Sequence, residues 1–380
     1  MKPIFFFGTL RDLPLLSIVI GRRIGPDEAP QARAHGWQTW QVRNEAYPML
    51  RQAEGTTADG LLFCPATDEE RAAILFYEEA EYALTTIAVE TATGTAEAVF
   101  FDATGKIAMG DAPWCFDRWT AMDRAVALEA AAELMPLRRT VPVEEIDTVW
   151  PGIMNRARQR ARAAAETPVL GGLRTAFDAG HDVDWLSRET PLSGYLAVEN
   201  HTLRHRRFDG TMSPLVERMT VAWGDAVTVL PYDPVLDRVL LIEQFRPGPA
   251  ARADPNPWCI EVPAGRIDAD EGAEATVRRE LLEEAGVTAR RLHPLPGYYP
   301  TPGLAAEHLG AWIAEVDLSG VEGGLFGAAE EGEDIRTMVL NVEAAIAALR
   351  AGAVNTGPAQ ILLLWLALER DDLRAAWGAA

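Results

Sequence analysis

Between Gly265 and Val287 the chain reads GRIDADEGAEATVRRELLEEAGV. Within this segment the spacing predicts an amphipathic helix. Val277, Leu281 and Ala285 fall on one apolar stripe, and Glu280, Glu283 and Glu284 crowd an adjoining arc of roughly a third of the circumference at about 100° per residue. Like charges three and four residues apart each cost roughly 0.2–0.5 kcal/mol, so helix packing alone does not select them. A divalent cation does. Hard carboxylate oxygens suit Mg²⁺ or Mn²⁺, and the pattern predicts a metal site on an exposed acidic helix face.

The same segment resembles the Nudix box, G-x5-E-x7-R-E-U-x-E-E-x-G-U with U aliphatic, and Gly265, Glu271, Arg279, Glu280, Leu281, Glu283, Glu284, Gly286 and Val287 fill its fixed positions. The resemblance implies a hydrolase that cleaves a nucleoside diphosphate linked to another moiety. It further implies that Glu280 and Glu284 ligate the metal, that Glu283 and Arg279 are catalytic residues beside them, that Ala264 offers a backbone carbonyl to the metal, that Gly265 lies against the substrate, and that Arg279 with Glu271 braces loop and helix.

At 380 residues the chain is long for one average domain and suggests two, and 48 % hydrophobic residues suffice for packed cores. The three cysteines, Cys64, Cys115 and Cys259, show no metal-ligand spacing and fit a reducing cytoplasm without disulfides. The apolar start is cut by Arg11 and Asp12 and lacks a small-residue cleavage pattern, so it does not read as a signal peptide, and no apolar run reaches membrane-spanning length. A net charge of -21 argues against binding nucleic acid or anionic membrane through bulk electrostatics. It also requires an enzyme acting on pyrophosphate to invert its local field, which cations bound at the glutamate cluster would do.

Along the chain, short apolar runs at 3–7, 58–63, 83–90 and 95–101 predict strands, with a helix near 68–79 and further helices at 114–135 and 143–166. The pattern weakens over 167–192, where Gly171, Gly172, Gly180 and Pro191 predict a linker. Beyond it, extended segments are expected at 195–208 and 217–223 and a hairpin of 226–230 with 239–245. Strands are then expected at 291–298, 308–316 and 335–341, and helices at 342–351 and 357–371. The expected division is 1–110, a helical extension and linker over 111–192, and 193–380.

The flanks of the box narrow the resemblance to ADP-ribose and ADP-sugar pyrophosphatases. Leu240 to Pro247 is similar to a strand ending in a substrate-side arginine, here Arg246. Trp258 to Gly265 is similar to the usual approach to the box, and Pro302 stands where this subfamily carries a diagnostic proline. The acidic, glycine-flanked stretch Gly327 to Arg336 reads as a loop able to close over substrate. The resemblance makes Glu331 its catalytic base, with Glu330 as a positional rival, and puts Glu333 near the metals. An α/β/α sandwich, a homodimer built through the strands before the box, a small nucleoside diphosphate sugar as ligand, and AMP with ribose 5-phosphate as products of ADP-ribose are all implied.

Pro3 to Arg11, with Phe7-Gly8-Thr9-Leu10, resembles the opening of the γ-glutamylcyclotransferase-like fold, a mixed barrel. That resemblance implies a carboxylate-binding turn at Gly8, Thr9 and Leu10 and a general acid/base at Glu78, although Glu79 stands where the family has glycine. The combination resembles bacterial proteins linked with tellurite resistance. The whole is therefore expected to be a chain of α+β and α/β class, and an enzyme. A nucleotide-sugar sensor without turnover, or a γ-glutamyl cyclotransferase in the N-terminal half, are the alternatives.

Overall fold

The computed structural model describes residues 2–78, 82–103, 107–167, 171–268, 271–328 and 332–378. Two compact units divide the chain: 1–176 with 193–195, and 177–192 with 196–380.

In the first unit the run Ile4–Phe6 forms β1, buried on both faces, which is why it is apolar without alternation. It pairs antiparallel with β3 (Pro48–Phe63) and parallel with β5 (Gly94–Ala103). β4 (Tyr82–Thr91) joins β5 to β2 (Gln31–Val42), and β2 pairs back onto β3, closing a five-stranded mixed barrel with β6 (Met109–Pro113) added to β2. Of the long β2–β3 ribbon only 58–63 was legible as strand: its inward positions include Ala32, Ala34 and Ala58, and Gly36 at φ +77 marks a bulge between His35 and Trp37. Gly60 is required in β3, because a Cβ there would lie 2.3 Å from the Phe5 ring that fills the barrel.

Helices cover the barrel. α1 (Leu13–Ile20) is capped by Asp12, whose carboxylate accepts the Leu15 N–H, and α2 (Asp68–Glu78) follows β3. The helix expected over 114–135 is two, α3 (Phe116–Met122) and α4 (Arg124–Leu137), broken at Asp123. α5 (Ile146–Ala165) packs on α4, and its arginine-rich end is partly interior: Arg156 is fully buried and donates to Glu133 at 2.8 and 2.5 Å.

In the second unit a short helix α6 (Ala179–Asp182) leads into β7 (Val183–Leu192), so the second half of the expected linker is a strand. It pairs with β8 (Ala197–His205), which pairs with β9 (Val216–Ala222), in a three-stranded antiparallel sheet. The main sheet centres on β10 (Ala226–Asp233) and β11 (Arg238–Phe245), joined as a hairpin. The short helix α7 (Pro247–Ala251) leads to β12 (Trp258–Glu261), which pairs with β11, and β13 (Ala264–Arg266), which pairs with β10. Helix α8 (Ala273–Ala285) follows, then β14 (Arg291–Tyr298), β15 (Leu309–Glu315), β16 (Leu325–Phe326), β17 (Ile335–Asn341), α9 (Val342–Arg350) and α10 (Gly357–Ala376). Alternation along the strands fills two layers. Val227, Val229, Leu240 and Ile242 pack on Val277, Leu281 and Ala285 of α8, while Leu230, Tyr232, Val239 and Leu241 pack beneath α9 and α10. The result is an α/β/α sandwich, and among the described residues no helix is long and apolar enough to cross a membrane.

Candidate functional site

Helix α8 ends at Gly286, whose left-handed backbone (φ +65) returns N–H groups to Leu281 and Leu282, and where a Cβ would strike the Phe326 ring. This fixed end sets the azimuth of the three glutamates. They do not share one exposed face. Glu284 is 2 % and Glu280 7 % exposed, whereas the Glu283 side chain stays 43 % exposed. The apolar stripe is wider than the sequence suggested: α8 turns its Glu280–Glu284 edge under β13, so two of the carboxylates are drawn inside.

There they meet the loop before the helix. Glu284 Oε2 accepts the Ala264 N–H at 2.8 Å, and a Cβ on Gly265 would lie 1.7 Å from Glu280 Oε1, so only glycine admits the carboxylate. Burial pushes the Glu280 carboxyl up to about 7, reinforced by the charges of Glu283 and Glu333 and opposed by Arg279. Burial also raises Glu284 well above the ordinary range, with Glu280 and Glu333 adding to it. Two buried carboxylates thus lie close enough to oppose each other's ionisation.

Arg279 is the brace. Burial opposes its charge, yet its contacts with Glu271, Glu280 and Glu283 hold it firmly protonated. It donates to Glu271 at 3.1 to 3.3 Å, to Glu280 at 2.7 Å, to Glu283 at 2.9 Å and to the Arg266 carbonyl at 3.3 Å. Glu271 is fixed in turn by Thr276 Oγ1 at 2.9 Å. With Glu283 turned onto Arg279, no group of three His, Cys, Asp or Glu side chains among the described residues is gathered as a metal-ligand set. The donor chemistry nevertheless fits a hard divalent cation: Glu280 and Glu284 are a buried pair of carboxyl groups beside the Ala264 backbone, and of the two Arg279 contacts only the first.

Residues 222–359 match the NUDIX domain family. The ADP-ribose pyrophosphatase of Escherichia coli K12 is 36 % identical over 197 residues, covering 52 % of this chain and 93 % of that enzyme. The chain belongs to the Nudix family. The ADP-ribose pyrophosphatase of Haemophilus influenzae is 33 % identical over 52 % of this chain and 91 % of its own length. The GDP-mannose pyrophosphatase of Citrobacter koseri is 32 % identical over 38 % of this chain and 73 % of its own length. Residues 4–115 match the gamma-glutamyl cyclotransferase, AIG2-like family.

Elsewhere in this Nudix hydrolase the sequence-derived residues fall in different places. Arg246 follows β11 and is already engaged, donating to both oxygens of Glu261 at 2.8 Å, a pair that holds it protonated against burial. Glu261 was missed, although it stands in the approach segment to the box. Glu333 accepts the Ala328 N–H at 2.9 Å and lies near enough to Glu280 and Glu284 to raise both. Glu330 and Glu331 lie outside the described residues. Pro302 is exposed in a turn whose far side, Leu304 to Ala306, is bonded to Val221 of β9.

In the first unit Gly8, Thr9, Leu10 and Glu78 do come together. They line one cavity of about 280 Å³, with Tyr47, Asp147 and Trp150 among its other walls. Glu79 lies outside the described residues.

Proposed function

We propose that the Nudix domain hydrolyses the pyrophosphate of ADP-ribose or a related nucleoside diphosphate sugar with Mg²⁺ or Mn²⁺, giving a nucleoside monophosphate and a sugar phosphate. The observation that carries the reading is the pair of buried carboxylates, Glu280 and Glu284, packed on the Ala264–Gly265 backbone. The named activities of the relatives support the substrate class. When bound, a divalent cation would offset the pyrophosphate charge and acidify the attacking water; Glu280, Glu284, the Ala264 carbonyl and Glu333 are the residues to hold it.

The chain's own groups do the rest. Arg279 fixes the angle between the box loop and α8, and its hold on Glu283 keeps that carboxylate beside the site. Arg246, oriented by Glu261, presents its remaining N–H groups to a phosphate oxygen, while Gly265 leaves room for it. Pro302 shapes the substrate loop. Glu331 removes the proton from water as it attacks phosphorus in line. We also propose a homodimer, supported by the exposed Trp185, Leu186 and Leu192 of β7 and Met219 of β9.

A panel of ADP-ribose, ADP-glucose, GDP-mannose and UDP-glucose with Mg²⁺ or Mn²⁺ tests the reading. AMP and ribose 5-phosphate should form from ADP-ribose and stop forming with EDTA. No turnover of any of the four in either metal refutes it.

The cavity that unites Gly8, Thr9, Leu10 and Glu78 favours a second activity, cyclisation of γ-glutamyl amides with Glu78 as proton carrier. Release of 5-oxoproline by the wild type, lost in Glu78→Gln, supports it; no release from any γ-glutamyl amide rejects it.

A further inference from the structure

Side chains alternate along β11: Val239 and Leu241 enter the layer under α9 and α10, and Leu240 and Ile242 the layer under α8. Gln244 continues the second set. Its cross-strand partners are Cys259 and Ile335, both buried, and the residue is itself only 6 % exposed. The Gln244 amide nitrogen, Nε2, is sealed from solvent and meets no hydrogen-bond acceptor among the described residues. A buried donor left without an acceptor is a standing cost to the fold and calls for a partner that arrives from outside.

Its surroundings identify that partner. Two residues further on the same face stands Arg246, close enough to Glu284 for that carboxylate to favour its charge. Of the anionic oxygens nearby, Arg246 takes both of Glu261, and the Ala264 N–H takes Glu284 Oε2. What this floor lacks is an acceptor that enters with the ligand beside a guanidinium, and phosphate supplies it.

We propose that Gln244 is a further substrate-binding residue, its Nε2 donating to a non-bridging oxygen of the substrate's pyrophosphate next to Arg246. The inference rests on the pyrophosphatase reading above. A neutral donor here holds the phosphate without placing a second cation against the carboxylates that the metal needs. It recognises the diphosphate common to nucleotide sugars and is indifferent to which sugar follows.

The test compares the full-length protein with Gln244→Met, an apolar side chain of similar length, and Gln244→Asn, which keeps the donor but withdraws it. Binding of α,β-methylene ADP-ribose, which retains the non-bridging oxygens, is measured by calorimetry, alongside KM and kcat for ADP-ribose and Tm. Both variants should bind the analogue roughly 10- to 100-fold more weakly, the usual loss of a hydrogen bond to a charged group, with the change in KM exceeding that in kcat. Gln244→Met should melt at or above the wild-type Tm, because an unmet donor has been removed. Wild-type affinity for the analogue in both variants overturns the proposal, and a lowered Tm with unchanged affinity makes Gln244 a structural residue held by buried water. A wild type that turns over no nucleotide sugar instead overturns the pyrophosphatase reading, so the two failures are distinguishable.

Discussion

Removing metal and raising the pH should destabilise this protein through Glu280. Its carboxyl is held up to about 7 against an ordinary 4.5, so between those values the folded chain carries a proton that the unfolded chain has released. Stability is therefore complete below about pH 4.5 and is lost as pH rises through about 7, at about 1.4 kcal/mol per pH unit and about 3 kcal/mol in all. Glu284, also raised by burial, pulls in the same direction. For a domain of this size Glu280 alone corresponds to a fall of roughly 6–12 °C in Tm. The assay is thermal unfolding in EDTA and in saturating Mg²⁺ from about pH 5 to about pH 8, with Glu280→Gln as reference so that the chain's other acids cancel. The wild type should fall relative to Glu280→Gln as pH rises, and the stabilisation by Mg²⁺ should grow over the same window as the ligands ionise. A wild-type minus Glu280→Gln difference that does not change with pH refutes the argument, as does a Mg²⁺ effect equal at both ends.

Gly265→Ala should lower kcat at least about 10²-fold and weaken Mg²⁺ activation, because its methyl displaces the Glu280 carboxylate; Tm should move little, since a flexible side-chain end gives way. Glu331→Gln should lower kcat by roughly 10²–10⁴ with Mg²⁺ affinity retained, and a large drop in Glu330→Gln instead would place the base one residue earlier. Arg156→Met should cost roughly 1.5–3 kcal/mol in denaturant unfolding, because the buried Glu133 loses its Arg156 donors and keeps Arg160 at 3.0 Å; stability equal to wild type would contradict the pairing.

The box motif announced which residues matter and left their depth unread. Period and charge place Glu280, Glu283 and Glu284 on one arc, yet whether an arc faces water depends on β13, which passes over it, and strand pairing is not local. For the same reason the partner of Arg246 was not legible: Glu261 is fifteen residues away, and only the pairing of β11 with β12 brings its carboxylate within reach of the guanidinium. Long apolar runs such as Leu240–Ile242 and the terminal helices declared themselves. β2 and the part of β3 before residue 58 did not, because alanine and glycine suffice inside a narrow barrel crowded by Phe5, Phe7 and Phe100. β7 carries polar residues on both faces and reads as linker until its partner strand is known.

The three residues of β13 pair rung for rung with Ala226–Thr228 of β10, and the Ile267 N–H beyond them reaches the Asp225 carbonyl at 3.0 Å. Backbone that touches Glu280 and Glu284 is thereby sewn into the middle of the sheet. Its amides should exchange with solvent only when the whole unit opens. For divergence under selection this means that substitutions over 263–267 register first as folding defects, except at Gly265, where the Glu280 side-chain end gives way and activity is lost first. New substrate preferences are cheaper to explore in the connections at 246–257 and 299–308, which can change length and composition without loosening the strand that holds the chemistry.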